Sequence, residues 1–264
     1  MESKTAKTTK IYFWSALTFF LIITAIYLSG IKPMNSYKNV IADPNTIDQY
    51  NQSNYIYTFI YFIVLFVIQL CIGWSVVNAT ECKIVKDKGR VLGEVFKSTA
   101  LPWLFIFGFS LVVILLKPNF KSVFSNVYGY FWVKSQANSL LTDLLKNEKE
   151  VKAVAAANGA ADQATIQNTA DAILKICGNT GMLINQITPS NFLEYMKMLQ
   201  PLMKTDYSGA GVNANNINET THIFYKLFQV VESRERIGEY AWYIYTGLFV
   251  IAIVSYNIAM IPCR

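Results

Sequence analysis

Four long stretches of this chain carry no charged side chain, and nothing else in the sequence narrows the fold as much. They run from Ile11 to Ile31, from Tyr55 to Val77, from Thr99 to Leu116 and from Tyr240 to Ile261. A helix needs about 20 mostly apolar residues to cross a bilayer, and a soluble core helix is rarely so long and so free of charge. The third stretch is the shortest, so a re-entrant segment stands beside a full crossing there. Composition agrees, with 53% hydrophobic and 15% charged residues against about 25% charged in soluble domains. A plain soluble enzyme, a disordered tail and a disulfide-rich secreted module are excluded. The expected fold is an all-α integral membrane protein with four transmembrane helices. The first stretch follows Lys4, Lys7 and Lys10 but exceeds the apolar core of a cleaved signal peptide, so it reads as a signal anchor.

Lysines and arginines predict the orientation, because cytoplasmic flanks are enriched in them. Lys4, Lys7, Lys10, Lys83, Lys86, Lys88, Arg90, Lys97 and Arg264 fall on one side, whereas the first connection offers Lys32 and Lys38. The termini and the loop Cys82–Ser98 are expected in the cytosol, with residues 117–239 opposite. Lys117, Lys121, Lys134, Arg234 and Arg236 reduce the contrast. The net charge of +6 is thus explained largely by span flanks, and no specific nucleic acid is expected.

Three parts follow: a membrane region at 1–116, a helical extramembrane domain at 117–239, and a fourth span with a short tail at 240–264. In the domain, Leu140, Leu141, Leu144, Leu145 and Val151 recur at helical spacing from Ser139, and Asn158-Gly159 is a stop. A second helix is predicted from Asp162 to Gly178. A third is predicted with Thr188 as cap and Pro189 in its first turn, turning Phe192, Tyr195, Met196 and Leu199 inward. Residues 205–218 read as an exposed loop. A last helix is predicted from Glu219 through the fourth span to Met260, about 63 Å long if unbroken.

The chemical inventory is thin. The single histidine, His222, has no Cys or acid at metal-ligand spacing, and nucleophile-elbow, zinc-protease and phosphate-loop patterns are absent. No catalytic residue, cofactor or metal is expected. Gln69 and Asn257 are the strongly polar residues within the spans, each suited to bonding a neighbouring helix. Cys82 and Cys263 lie beside the membrane, where inert thiols and acylation sites are both open readings. Asn51, Asn78 and Asn218 head N-x-S/T triplets, and Asn218, in the polar loop, is the best-placed glycosylation candidate.

After the third span comes Lys117-Pro118-Asn119-Phe120-Lys121-Ser122-Val123-Phe124-Ser125-Asn126-Val127-Tyr128-Gly129-Tyr130. Physically it suggests a membrane-surface collar, with the rings at the interface and Ser125, Asn126 and Gly129 in a tight turn. The segment resembles one in multi-span membrane proteins of large icosahedral DNA viruses, the group including algal viruses, iridoviruses and mimivirus-like viruses. Pro118, Phe124, Ser125, Asn126, Gly129 and Tyr130 match that pattern. Asn119 and Phe120 stand where it has Gly-Trp, Val123 where it has a second Pro, and Val127 where it has Thr. The resemblance implies a structural protein of the virion's internal membrane, derived from a host internal membrane and contacting minor capsid proteins. On it, the expected partners are the bilayer and capsid or other structural proteins, copies of this chain among them. The expected contacts are Phe120, Phe124, Ser125, Asn126, Gly129, Tyr130 and Tyr207. An oligomeric channel or transporter and a cellular tetraspan adhesion protein are the alternatives.

Overall fold

The computed structural model describes residues 2–33, 46–79, 88–146, 180–204, 207 and 222–261. Among them the regular structure is helical, apart from an isolated antiparallel bridge between Leu145 and Met203. The protein is all-α, and four helices are long and apolar enough to cross a membrane: Ala6–Ile31, Asn54–Ala79, Gly89–Leu116 and Ile223–Met260. The chain divides into two compact units. One comprises Met1–Pro33, Asn51–Lys121 and Glu239–Arg264; the other comprises Met34–Tyr50 and Ser122–Gly238.

In the first unit, α1 (Glu2–Ile26) ends in a π-helical turn at Tyr27–Ile31, and α2 is Thr46–Ala79. The third crossing is longer than its apolar stretch. It starts at α3 (Lys88–Pro102), passes through a π-helical segment at Trp103–Gly108 and finishes as α4 (Phe109–Leu116). Hydropathy missed its first turns because Arg90, Glu94 and Lys97 are good helix formers but not apolar. Pro102 has no N–H and crowds the preceding turn, and the hydrogen bonds rewind just after it: Phe109 N–H donates to the Leu104 carbonyl, five residues back.

Aromatic rings fill this unit. Phe20, Trp103 and Phe107 pack together, with a Trp103–Phe107 centroid distance of 4.9 Å. Tyr61 stacks between Tyr27 at 4.2 Å and Tyr243 at 5.7 Å. Their hydroxyls are used: Tyr61 pairs with Thr24 at 2.8 Å and Tyr27 with Thr58 at 2.9 Å. Gln69 bonds across helices as expected, accepting from the Tyr12 hydroxyl at 3.2 Å and donating to the Ala16 carbonyl at 3.1 Å.

The second unit opens with α5 (Ser122–Phe124), a π-helical segment at Ser125–Gly129 and α6 (Tyr130–Leu144). The helix predicted from Ser139 therefore begins much earlier and ends at Leu144, where Leu145 turns extended. Val151 and the predicted helix 162–178 lie outside the described residues. After α7 (Thr180–Gln186), Thr188 closes a turn by accepting from the Asn191 N–H at 3.3 Å, and α8 (Phe192–Leu199) follows. Thr188 thus caps the turn leading into the helix rather than the helix itself. Phe192, Met196 and Leu199 are buried, as their spacing requires, and Tyr195 is partly so. The last helix, α9, runs unbroken from Ile223 to Met260. Glu219 lies outside the described residues, and His222 precedes the helix, its Nδ1 accepting from the Phe224 N–H at 3.4 Å. Residues 223–238 of α9 belong to the second unit and supply Phe224, Leu227, Phe228, Val230 and Val231 to its core.

Candidate functional site

Among the described residues each unit holds a buried charged centre, and neither forms a motif in the sequence. In the first unit the centre is Glu239, buried at the head of the fourth apolar stretch. Its carboxylate pairs with Lys32, the residue just after the first crossing, and lies 3.9 Å from Lys121, just after the third. The Tyr243 hydroxyl donates to it at 2.7 Å. A carboxylate removed from water is costly unless it is paired and hydrogen-bonded. Here it has two cations and a hydroxyl, and it ties the ends of three crossings together. In sequence Lys32 and Lys121 are simply cations flanking apolar stretches.

In the second unit the centre is Arg234, fully buried. Its guanidinium donates to the Ile184 carbonyl, to the Ile187 carbonyl at 2.9 Å and to Glu235 at 2.7 Å. Ile184 and Ile187 sit at the C-terminal end of α7, where helix carbonyls lack intrahelical partners and favour a cation. One buried arginine therefore fastens α7 to α9.

The collar packs on this same stretch. Ser125 is buried and its Oγ lies 3.5 Å from the Glu235 carboxylate, to which it donates. A Cβ on Gly238 would run into the Ser125 backbone, and a Cβ on Gly129 would run into the Arg234 carbonyl. These two glycines let the backbones approach. Gly129 is ordinary right-handed helix at φ −62° and ψ −46°, so its value is room, not freedom. The tight turn expected at Ser125, Asn126 and Gly129 is accordingly corrected to a helix: Tyr130 N–H donates to the Ser125 carbonyl, five residues back.

The structure scatters the expected contact residues. Phe120 is exposed. Phe124 is half-buried and stacks on Tyr128 at 5.9 Å. Asn126 is half-buried, its backbone carbonyl 3.5 Å from the Asn185 amide that donates to it. Tyr130 and Tyr207 pack against the second unit's core. Ser125 and Gly129 face inward. Cys82, Cys263 and Asn218 lie outside the described residues. No family model, curated protein or solved structure matches this chain. Among the described residues no group of three His, Cys, Asp or Glu side chains is placed to hold a metal. A small polar recess of about 100 Å³ is lined by Glu94, Ser98, Tyr256, Asn257, Met260 and Ile261, room for only a few waters.

Proposed function

We propose that this is a non-enzymatic structural protein that anchors a protein scaffold to a membrane, the scaffold being a viral capsid shell by the resemblance at Phe124–Tyr130. The observation that carries the reading is the second unit. Its main part, Ser122–Gly238, follows the third crossing and ends where the apolar stretch of the last helix begins, and it has its own apolar core, from Val133 through Phe192 to Val231. An anchor needs that combination, a membrane part and an independently packed part to hold. The first unit's interior supports the same reading, since its packed rings are tied by their hydroxyls to Thr24, Thr58, Gln69 and Glu239.

Burial of Ser125 and Gly129 moves the proposed protein contact off the collar's inner side. Met182 on α7 and Met198 on α8 are exposed large apolar residues of the second unit, and methionine suits adaptable protein contacts. We place docking there and around Tyr207. The pairing of charges also favours the orientation with this unit opposite the cytosol. Lys32 and Lys121 are offset by Glu239, and Arg234 by Glu235, while Lys7, Lys10 and Lys97 are exposed.

The test is quantitative mass spectrometry of purified particles from the source, before and after detergent stripping, with crosslinking from Lys134 and Lys197. A fixed ratio to the coat protein and crosslinks to it are expected. Absence from particles, with the protein confined to cell membranes, overturns the capsid reading.

A further inference from the structure

The helix that follows the third crossing has two unlike sides. Inward, Ser125, Gly129, Val133, Ala137 and Leu141 recur every fourth residue and are buried. Outward, Val123, Val127, Tyr128, Phe131 and Trp132 are exposed. Phe131 is 82% exposed and Trp132 76%. No large apolar side chain on the four crossings is more open: Phe105 reaches 72% and Leu116 70%. Left in water, such residues forgo about 1.5–3 kcal/mol each, and a contiguous apolar strip of this kind marks a binding surface.

We propose that this outer side, from Val123 to Trp132, is immersed in the interface of the bilayer that the third crossing enters, with phospholipid as its partner. Three observations favour lipid over protein. The strip begins only seven residues beyond Leu116, the last residue of α4, so the chain has little length in which to leave the membrane. The exposed side chains of the crossing, Phe105, Phe109, Val112 and Leu116, are large apolar groups of the same kinds as Phe120, Val123, Val127 and Phe131. The strip also ends abruptly. Beyond Trp132 the exposed positions are Lys134, Ser135, Gln136, Ser139, Thr142 and Asp143. Large apolar side chains and rings ending in Trp132, followed by Lys and small polar residues, is the order of a bilayer boundary, where amphipathic rings sit at headgroup depth. A protein-docking face has no reason to change character along the chain in that order.

This inference rests on the helices crossing a membrane, not on the capsid reading. The full chain, with Cys71, Cys82, Cys177 and Cys263 changed to Ser, is reconstituted in phosphatidylcholine–phosphatidylglycerol vesicles. Nitroxide labels are placed singly through Phe105→Cys, Val127→Cys, Phe131→Cys, Trp132→Cys, Gln136→Cys and Ser139→Cys, and collisions with oxygen and with a water-soluble nickel chelate are compared. Oxygen should dominate at 105, 127, 131 and 132, and the chelate at 136 and 139. Chelate dominance at 131 and 132 overturns the proposal, and so does protection from both reagents, the mark of a contact with protein or a second copy. An unlabelled reading guards against disturbance by the label. The emission removed by Trp132→Phe should fall at least twofold when the lipids carry brominated acyl chains; an unchanged difference overturns the proposal.

Discussion

The two units solve packing with different materials. The first core is the richer in rings, with Tyr12, Phe20, Tyr27, Tyr61, Trp103, Phe107 and Tyr243 set among aliphatic side chains such as Leu65, Val250 and Ile258 and bonded through their hydroxyls. The second has a mostly aliphatic core, with Leu141, Leu144, Leu183, Ile184, Ile187, Leu227 and Val231 around Phe192 and Phe228, whose rings meet edge to face at 5.2 Å. Lipid around the first unit and water around the second, as proposed above, would account for the difference. Lipid tails are as apolar as a helix interior, so helices in a membrane gain little from burial alone and are held by shape and hydrogen bonds. Water drives burial outright, and a core of that kind can be aliphatic. Each unit also holds a buried charge centre, at Glu239 in the first and at Arg234 in the second.

The comparison breaks most sharply at Arg234. Arg234→Leu frees two α7 carbonyls and leaves the Glu235 carboxylate without its guanidinium. It should destabilise the second unit by about 3–5 kcal/mol, read as a lower urea midpoint by a probe in that unit. Arg234→Leu with Glu235→Leu should recover part of the loss, because the stranded charge is gone. Recovery of nothing would mean the carbonyl contacts alone matter.

Next come the glycines. Gly129→Ala and Gly238→Ala each force backbone apart and should cost about 1–3 kcal/mol. Gly73→Ala in the first unit should cost less, since its Cβ would meet side chains and no backbone: Val95, Ile258 and Tyr12 at 3.2, 3.3 and 3.6 Å. Unfolding of the full chain in mixed micelles should show a larger loss for Gly129→Ala and Gly238→Ala than for Gly73→Ala. Equal behaviour would show that the Ser125–Gly238 approach is loose.

The smallest expected effect is in the membrane unit. Gln69→Leu removes both cross-helix bonds but leaves a side chain lipid-compatible in every respect, and should cost about 0.6 kcal/mol, the usual scale for such bonds. Unfolding in mixed micelles measures it. A loss as large as that of Arg234→Leu would erase the contrast between the units.

What the sequence revealed follows the same division. The crossings were legible because hydropathy is a local property, and Gln69 was legible because a polar residue in an apolar run must find a partner. The start of the third crossing was not, since Arg90, Glu94 and Lys97 hide a helix from an apolarity window. The collar was misread for a subtler reason. Ser-Asn and Gly are turn residues by local preference, yet Gly129 is there because Arg234, far along the chain, lies against it. Arg234 and Glu235 themselves sit in a Ser-Arg-Glu-Arg run that looks like a wet surface. Only tertiary structure distinguishes the inward arginine from its neighbour Arg236.

The π-helical segment at Ser125–Gly129 carries a consequence for insertions and deletions. Such a segment amounts to one residue added to an α-helix, and one residue turns a helix by about 100°. Deleting Val127 would restore a regular helix and swing everything beyond it by that angle, bringing Phe131 and Trp132 off the outer side and Val133, Ala137 and Leu141 off the core. The helix's assignment of inside and outside thus hangs on a single codon. Descendants of this gene should tolerate exchange of one exposed ring for another far more readily than any change of length between Phe124 and Tyr130.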